Sequence, residues 1–93
     1  MNNIPRIREV KPLKNMMLAV TFKNGVIKEY DVKPLVKRYE IFNQLENVSI
    51  FNLVKVDCGG FGIMWTDEID LSEYEIWQNG ITIGKDKMPS KAG

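Results

Sequence analysis

The stretch Met17 to Val32, MLAVTFKNGVIKEYDV, decides the fold. It reads as two strands joined at Asn24-Gly25, a dipeptide whose residues tolerate the positive φ that tight hairpin turns require. Before the turn, Leu18, Val20 and Phe22 alternate with Met17, Ala19, Thr21 and Lys23. After it, Val26, Lys28 and Tyr30 alternate with Ile27, Glu29 and Asp31. A period of two marks strands with one face buried.

The hairpin has two registers. A two-residue turn pairs Phe22 with Ile27 and sets Glu29 opposite Val20. A three-residue loop, Lys23-Asn24-Gly25 with Gly25 in a bulge, pairs Phe22 with Val26 and Leu18 with Tyr30. It leaves only Lys28 opposite Val20. A slip of one residue exchanges the two faces, so burial favours the bulged loop.

Outward from the hairpin, IPRIREVKPL predicts a short strand over about residues 6–12, ended or confined to an edge by Pro12. Lys14-Asn15 turns into the hairpin. After Asp31, Pro34 suits the first turn of a helix. Leu35, Val36, Tyr39, Phe42 and Leu45 recur at helical spacing, giving one or two short helices over about 34–46. Val48 to Phe51 leads back toward the sheet. Leu53 to Cys58 reads as a strand, Gly59-Gly60-Phe61-Gly62 as a turn, and Gly62 to Thr66 as the returning strand. Ser72 followed by Glu75 is a capping box, with Leu71 and Ile76 placed as a hydrophobic staple. Asn79-Gly80 ends that helix, and Ile81-Thr82-Ile83 forms a short edge strand or simply packs. The expected fold is α+β: a small antiparallel sheet of about four to five strands in two hairpins, with two or three short helices packed on it. Residues 1–83 make the single domain and 84–93 a disordered tail.

Ninety-three residues, 44% hydrophobic and 27% charged, suit one domain with a modest core. The longest apolar run, Met16 to Val20, is far short of a membrane span. MNNIPRIREV lacks the apolar segment of a signal peptide. One cysteine, Cys58, forms no internal disulfide, so a reducing cytoplasm is the expected setting. Residues 1–40 carry nine Lys/Arg and four Asp/Glu, whereas residues 41–83 carry one Lys and seven Asp/Glu. Interleaved strands would cancel this polarity; separated halves would give a basic and an acidic side able to steer a partner.

The chain has no histidine, which removes the commonest general base, the Ser-His and Cys-His pairs and most zinc sites. Cys58 has only Asp57 as a charged neighbour in sequence, and reads as a half-buried core thiol. Asp67, Glu68, Asp70, Glu73 and Glu75 do not have calcium-loop spacing. The glycine turn lacks the Lys-Ser/Thr of a phosphate loop. Arg6, Arg8, Lys11, Lys14, Lys37 and Arg38 offer a basic patch, but the isoelectric point near 7.8 argues against nucleic-acid binding by this domain alone. Trp65 reads as core and Trp77 as the better surface candidate for a partner. No catalytic, cofactor-binding or metal-binding residue is therefore assigned, no cofactor is expected, and the chain is read as not an enzyme.

The strand L-x-V-x-F, the Asn-Gly turn, Tyr30-Asp31-Val32 and Pro34-Leu35-Val36 resemble a family of small bacterial proteins. So do Phe42-x-x-Leu45, Phe51, Val54-Lys55-Val56-Asp57, Gly62-x-x-Trp65 and Ile69-Asp70-Leu71. The family is catalogued as domain of unknown function 2442, and the resemblance covers about residues 5–79. Family members often have Asn-Gly where this chain has Asp67-Glu68. The resemblance implies an α+β fold like the N-terminal domain of a larger helix-turn-helix regulator. It also implies a neighbouring small protein, in an arrangement reminiscent of toxin–antitoxin pairs. The expected role is a non-catalytic interaction or regulatory domain, antitoxin-like, with the product of an adjacent gene as partner; the alternative is a component of a DNA-associated transcriptional regulator. A homodimer stays open, and no membrane partner is expected. Replacing Ser72 by Ala should cost about 1 kcal/mol of stability, read from the urea midpoint.

Overall fold

The computed structural model describes residues 4–86. Seven strands form two antiparallel sheets. The first contains β1 (Ile7–Leu13), β2 (Met17–Phe22), β3 (Val26–Asp31) and β7 (Ile81–Lys85), in the order β1-β2-β3-β7. The second contains β4 (Lys55–Val56), β5 (Gly62–Thr66) and β6 (Ile69–Ser72) in sequence order. Between the sheets in sequence run α1 (Lys33–Arg38), a 3-10 segment over Glu40–Glu46 and α2 (Val48–Phe51). Helix α3 (Glu73–Asn79) joins β6 to β7.

The β2–β3 hairpin adopts the bulged register: Leu18 pairs with Tyr30 and Val20 with Lys28. Gly25 sits at φ +93° and its N–H donates to the Phe22 carbonyl at 2.8 Å, closing the three-residue loop. Leu18, Val20, Phe22 and Tyr30 all face the core. Lys28, the odd residue on that face, lays its ammonium over the Trp77 ring, 4.6 Å from the centroid. An aliphatic stem on apolar surface with its charge on an aromatic face removes the mismatch. Trp77 is thereby half-buried, with its ring edge-on to Phe22 at 4.9 Å, rather than a free surface anchor.

One core serves both sheets. Ile7, Val20 and Phe22 from the first meet Ile63, Trp65, Ile69 and Leu71 from the second, with Phe42, Leu45, Phe51 and Ile76 from the helical segments. The indole of Trp65 donates to the Phe51 carbonyl at 3.1 Å, satisfying its only polar atom inside the core. The sheets meet at the start of β1. There Ile7 N–H donates to the Gly60 carbonyl at 2.8 Å while Arg6 carbonyl accepts from Lys23 N–H at 2.8 Å. Gly60 has φ +78°, and a Cβ on it would lie 2.7 Å from the Ile7 carbonyl oxygen.

Several boundaries differ from the sequence expectation. β4 is confined to Lys55–Val56, and Cys58 is an exposed turn residue, not a half-buried core thiol. The chain leaves the ladder at Asp57, whose carboxylate accepts from Phe61 N–H at 3.0 Å and shapes the glycine turn. Val48–Phe51, which leads back toward the sheet, is a helical turn capped by Asn47. β6 pairs Gly62 with Ser72 and Ile63 with Leu71, so the residues read only as the approach to α3 are also a strand. The turn at Lys14–Met16 is a 3-10 turn with Asn15 and Met16 in the left-handed region, at φ 61° and 58°. Their carbonyls are held by Lys33 Nζ at 2.7 Å and Val32 N–H at 3.0 Å, contacts that offset the strain. The edge strand runs to Lys85, so Gly84 and Lys85 belong to the sheet, and Asp86 N–H donates to the Gly25 carbonyl at 2.7 Å; the remainder of the tail expected to be disordered, 87–93, lies outside the described residues.

The two charge-biased segments meet in three dimensions: Arg38 and Tyr30 from the first lie beside Asp70 and Glu75 from the second. Residues 7–31 and 81–85 make one sheet and residues 55–72 the other, so the end of the acidic segment, Ile81 to Ile83, pairs with the basic one through β3. Gly60→Ala should lower stability by about 2–3 kcal/mol, because left-handed strain and a clash at the seam act together. Chemical denaturation of the variant beside Gly84→Ala, where an added Cβ meets nothing within 4 Å, checks this.

Candidate functional site

Tyr30 ends β3 with its ring in the core and its hydroxyl emerging beside α3. The first turn of α3 brings Glu75 opposite, and the phenol donates to Glu75 Oε2 at 2.7 Å. Four residues on, on the same helix face, Asn79 Nδ2 donates to the same oxygen at 2.9 Å. Glu75 therefore does not reach back to complete the capping box. Only the Ser72 half forms, with Ser72 Oγ accepting from Glu75 N–H at 3.1 Å. Burial, the hydrogen bond to Glu75, and the negative charges of Glu75 and Asp31 all push the Tyr30 phenol pKa above its ordinary value. At Asp31, partial burial pushes the pKa up. Hydrogen bonds from the Lys33 ammonium and backbone N–H, with the charges of Lys33 and Lys37, outweigh it, and the net shift is downward.

This constellation floors a groove. One wall is α1 and the 3-10 segment, through Leu35, Arg38, Tyr39, Ile41 and Phe42; the other is β6 and α3, through Asp70, Leu71, Glu75 and Asn79. The main lobe encloses about 450 Å³. A smaller lobe of about 310 Å³, bounded by Tyr30, Asp31 and Pro34, shares Leu35, Arg38, Glu75 and Asn79 with it. A separate cleft of about 560 Å³ lies between the strained 3-10 turn and α2, lined by Leu13, Met16, Leu45, Val48 and Phe51.

The second exposed feature is β7. All five of its residues are exposed, with Ile81 at 71% and Ile83 at 52%. It pairs with β3 on one side, and among the described residues no strand lies beyond it. The opposite edge is blunted: β1 has a register shift between Ile7 and Glu9, carries Arg8, Glu9 and Lys11, and contains Pro12.

The residues weighed from sequence do not converge on a catalytic centre. Cys58 stands in the glycine turn. Asp67 and Glu68 occupy the β5–β6 turn, Asp70 is exposed on β6, and Glu73 and Glu75 lie in the first turn of α3. Among the described residues no three His, Cys, Asp or Glu side chains are grouped to hold a metal ion. Of the six basic residues weighed, Arg8 pairs with Asp86, Lys11 with Glu9, and Arg6 lies over the Phe61 ring at 3.9 Å, while Lys14, Lys37 and Arg38 are exposed. The Tyr30–Glu75–Asn79 arrangement was missed in the sequence because Glu75 had been assigned to the cap. The available signal was Tyr30 itself, an inward-facing tyrosine whose hydroxyl requires a partner.

Fold and surface together define a small two-sheet α+β domain whose open features are grooves and a free strand edge. The chain belongs to the family described as protein of unknown function (DUF2442), whose model matches residues 7–82. No curated protein and no solved structure matches it. Among the described residues no helix is long and apolar enough to cross a membrane.

Tyr30→Phe should cost about 1–2 kcal/mol near neutral pH, through loss of a hydrogen bond to a carboxylate. The folded phenol keeps its proton beyond the pH at which the unfolded chain releases it. Its contribution is therefore complete below about pH 10 and is lost as pH rises further, so the wild-type advantage over Tyr30→Phe should narrow there. Urea midpoints for both proteins across that range measure it.

Proposed function

We propose that this domain is a non-catalytic protein-interaction module that takes up an extended segment of a partner protein along β7. The observation supporting this is the contrast between the two edges of the four-stranded sheet. Both edges carry a bulge, at Arg8 in β1 and at Ile83 in β7, but β1 also holds Arg8, Glu9, Lys11 and Pro12, while β7 has no proline and its one charge, Lys85, lies at its end. Backbone groups on such an edge are a template for a further strand, and alternating side chains supply specificity.

The partner that the family setting favours is the product of an adjacent gene, which makes an antitoxin-like regulatory role the finer form of this reading. The resemblance to the N-terminal part of a helix-turn-helix regulator gives a DNA-associated role as the alternative. The engagement of Arg6, Arg8, Lys11 and Lys33 within the domain weighs against that alternative.

The double variant Ile81→Lys/Ile83→Lys changes only exposed side chains, so its unfolding midpoint should stay within about 0.5 kcal/mol of wild type. Co-expressed with the adjacent gene product, wild type should co-purify with it and the double variant should lose at least about 90% of it, because each lysine opposes strand addition. Undiminished co-purification by the folded variant would remove β7 as the recognition edge.

A further inference from the structure

We propose that the groove between α1 with its following 3-10 segment and α3 with β6 is a seat for a lysine or arginine side chain flanked by apolar residues, presented by a protein partner. The proposal rests on the interaction reading above but not on β7. The groove has an apolar rim: Tyr39 is 47% and Ile41 45% exposed, although both are large enough to favour burial, and Leu35, Phe42 and Leu71 continue that surface inward.

Its charge has a definite sign. Asp70 and Glu75 both line the groove, and neither forms an ion pair among the described residues. The charged side chains lining the two lobes are Asp31, Asp70 and Glu75 against Arg38 alone. Glu75 is also held in place. Tyr30 and Asn79 both donate to its Oε2, and neither brings a compensating positive charge. A carboxylate fixed by neutral donors loses little side-chain freedom when a cation arrives, which is the economy of a preorganised site.

Arg38 stands on the opposite wall and forms no ion pair among the described residues. It sets the competing possibility, an occupant bearing a carboxylate. Two carboxylates against one guanidinium favour the cation, and the apolar rim requires that its neighbours in the partner be apolar.

Matched peptides, acetyl-Leu-Arg-Leu-amide and acetyl-Leu-Glu-Leu-amide, titrated into the isotope-labelled full chain at low salt, test this by amide chemical shifts. The arginine peptide should move the amides of Leu35–Phe42 and Asp70–Asn79 and bind about three- to fivefold more tightly than the glutamate peptide, the range expected for partly exposed ion pairs. Asp70→Asn should reduce the preference by at least half, and about 0.5 M salt should remove it. Equal affinity for both peptides, preference for the glutamate peptide through Arg38, shifts confined to other surfaces, or no shifts at about 10 mM peptide would each overturn the proposal. The Ile81→Lys/Ile83→Lys variant should respond to the arginine peptide as wild type does. A failure of the groove is thus distinguishable from a failure of the strand edge.

Discussion

The start of β1 is held from two directions at once, and the rest of the architecture depends on that double grip. Its backbone pairs into the first sheet through β2, while Ile7 N–H is fixed by the Gly60 carbonyl in the turn between β4 and β5. The Ile7 side chain fills the core at the same point. Each sheet alone has an apolar face with nothing to cover it, and a three-stranded sheet with a two-residue edge strand is marginal in isolation. Joined at this seam, the two faces bury one another and the helical segment between them closes the remaining side. The left-handed backbone at Gly60 is what lets the turn approach close enough to form the bond.

The first hairpin was legible because one physical constraint decided it. Only the bulged loop kept Leu18, Val20, Phe22 and Tyr30 on one face, and the single exception, Lys28, had a way to lie on that face without burying its charge. The cap at Ser72 was legible for a similar reason, since a hydroxyl at that spacing has a backbone donor waiting. The second sheet was harder. Ile69 and Leu71 alternate with Asp70 and Ser72, yet four residues are too few for a period to stand out beside a capping motif that claims the same positions. Cys58 was misplaced because its apolar, alternating neighbours continued a strand pattern that Asp57 ends by turning its carboxylate onto the Phe61 amide.

Glu75 shows why the groove stayed hidden. Sequence spacing assigned its carboxylate to the helix start, whereas the fold offered it a tyrosine from the neighbouring sheet. A local motif gives an acid one use; tertiary packing chose another, and half of the capping box was given up for it. Hydrogen bonds to this carboxylate tie α3 to the end of β3 on one side while the groove opens on the other. The same side chain thus braces the helix and faces whatever enters.

The unequal edges of the four-stranded sheet also limit how large any assembly built through it can become. With β1 obstructed by its charges and a proline, β7 is the one open edge of the four-stranded sheet. Strand addition by the proposed route would therefore end at one companion, because this sheet has no second open edge to extend.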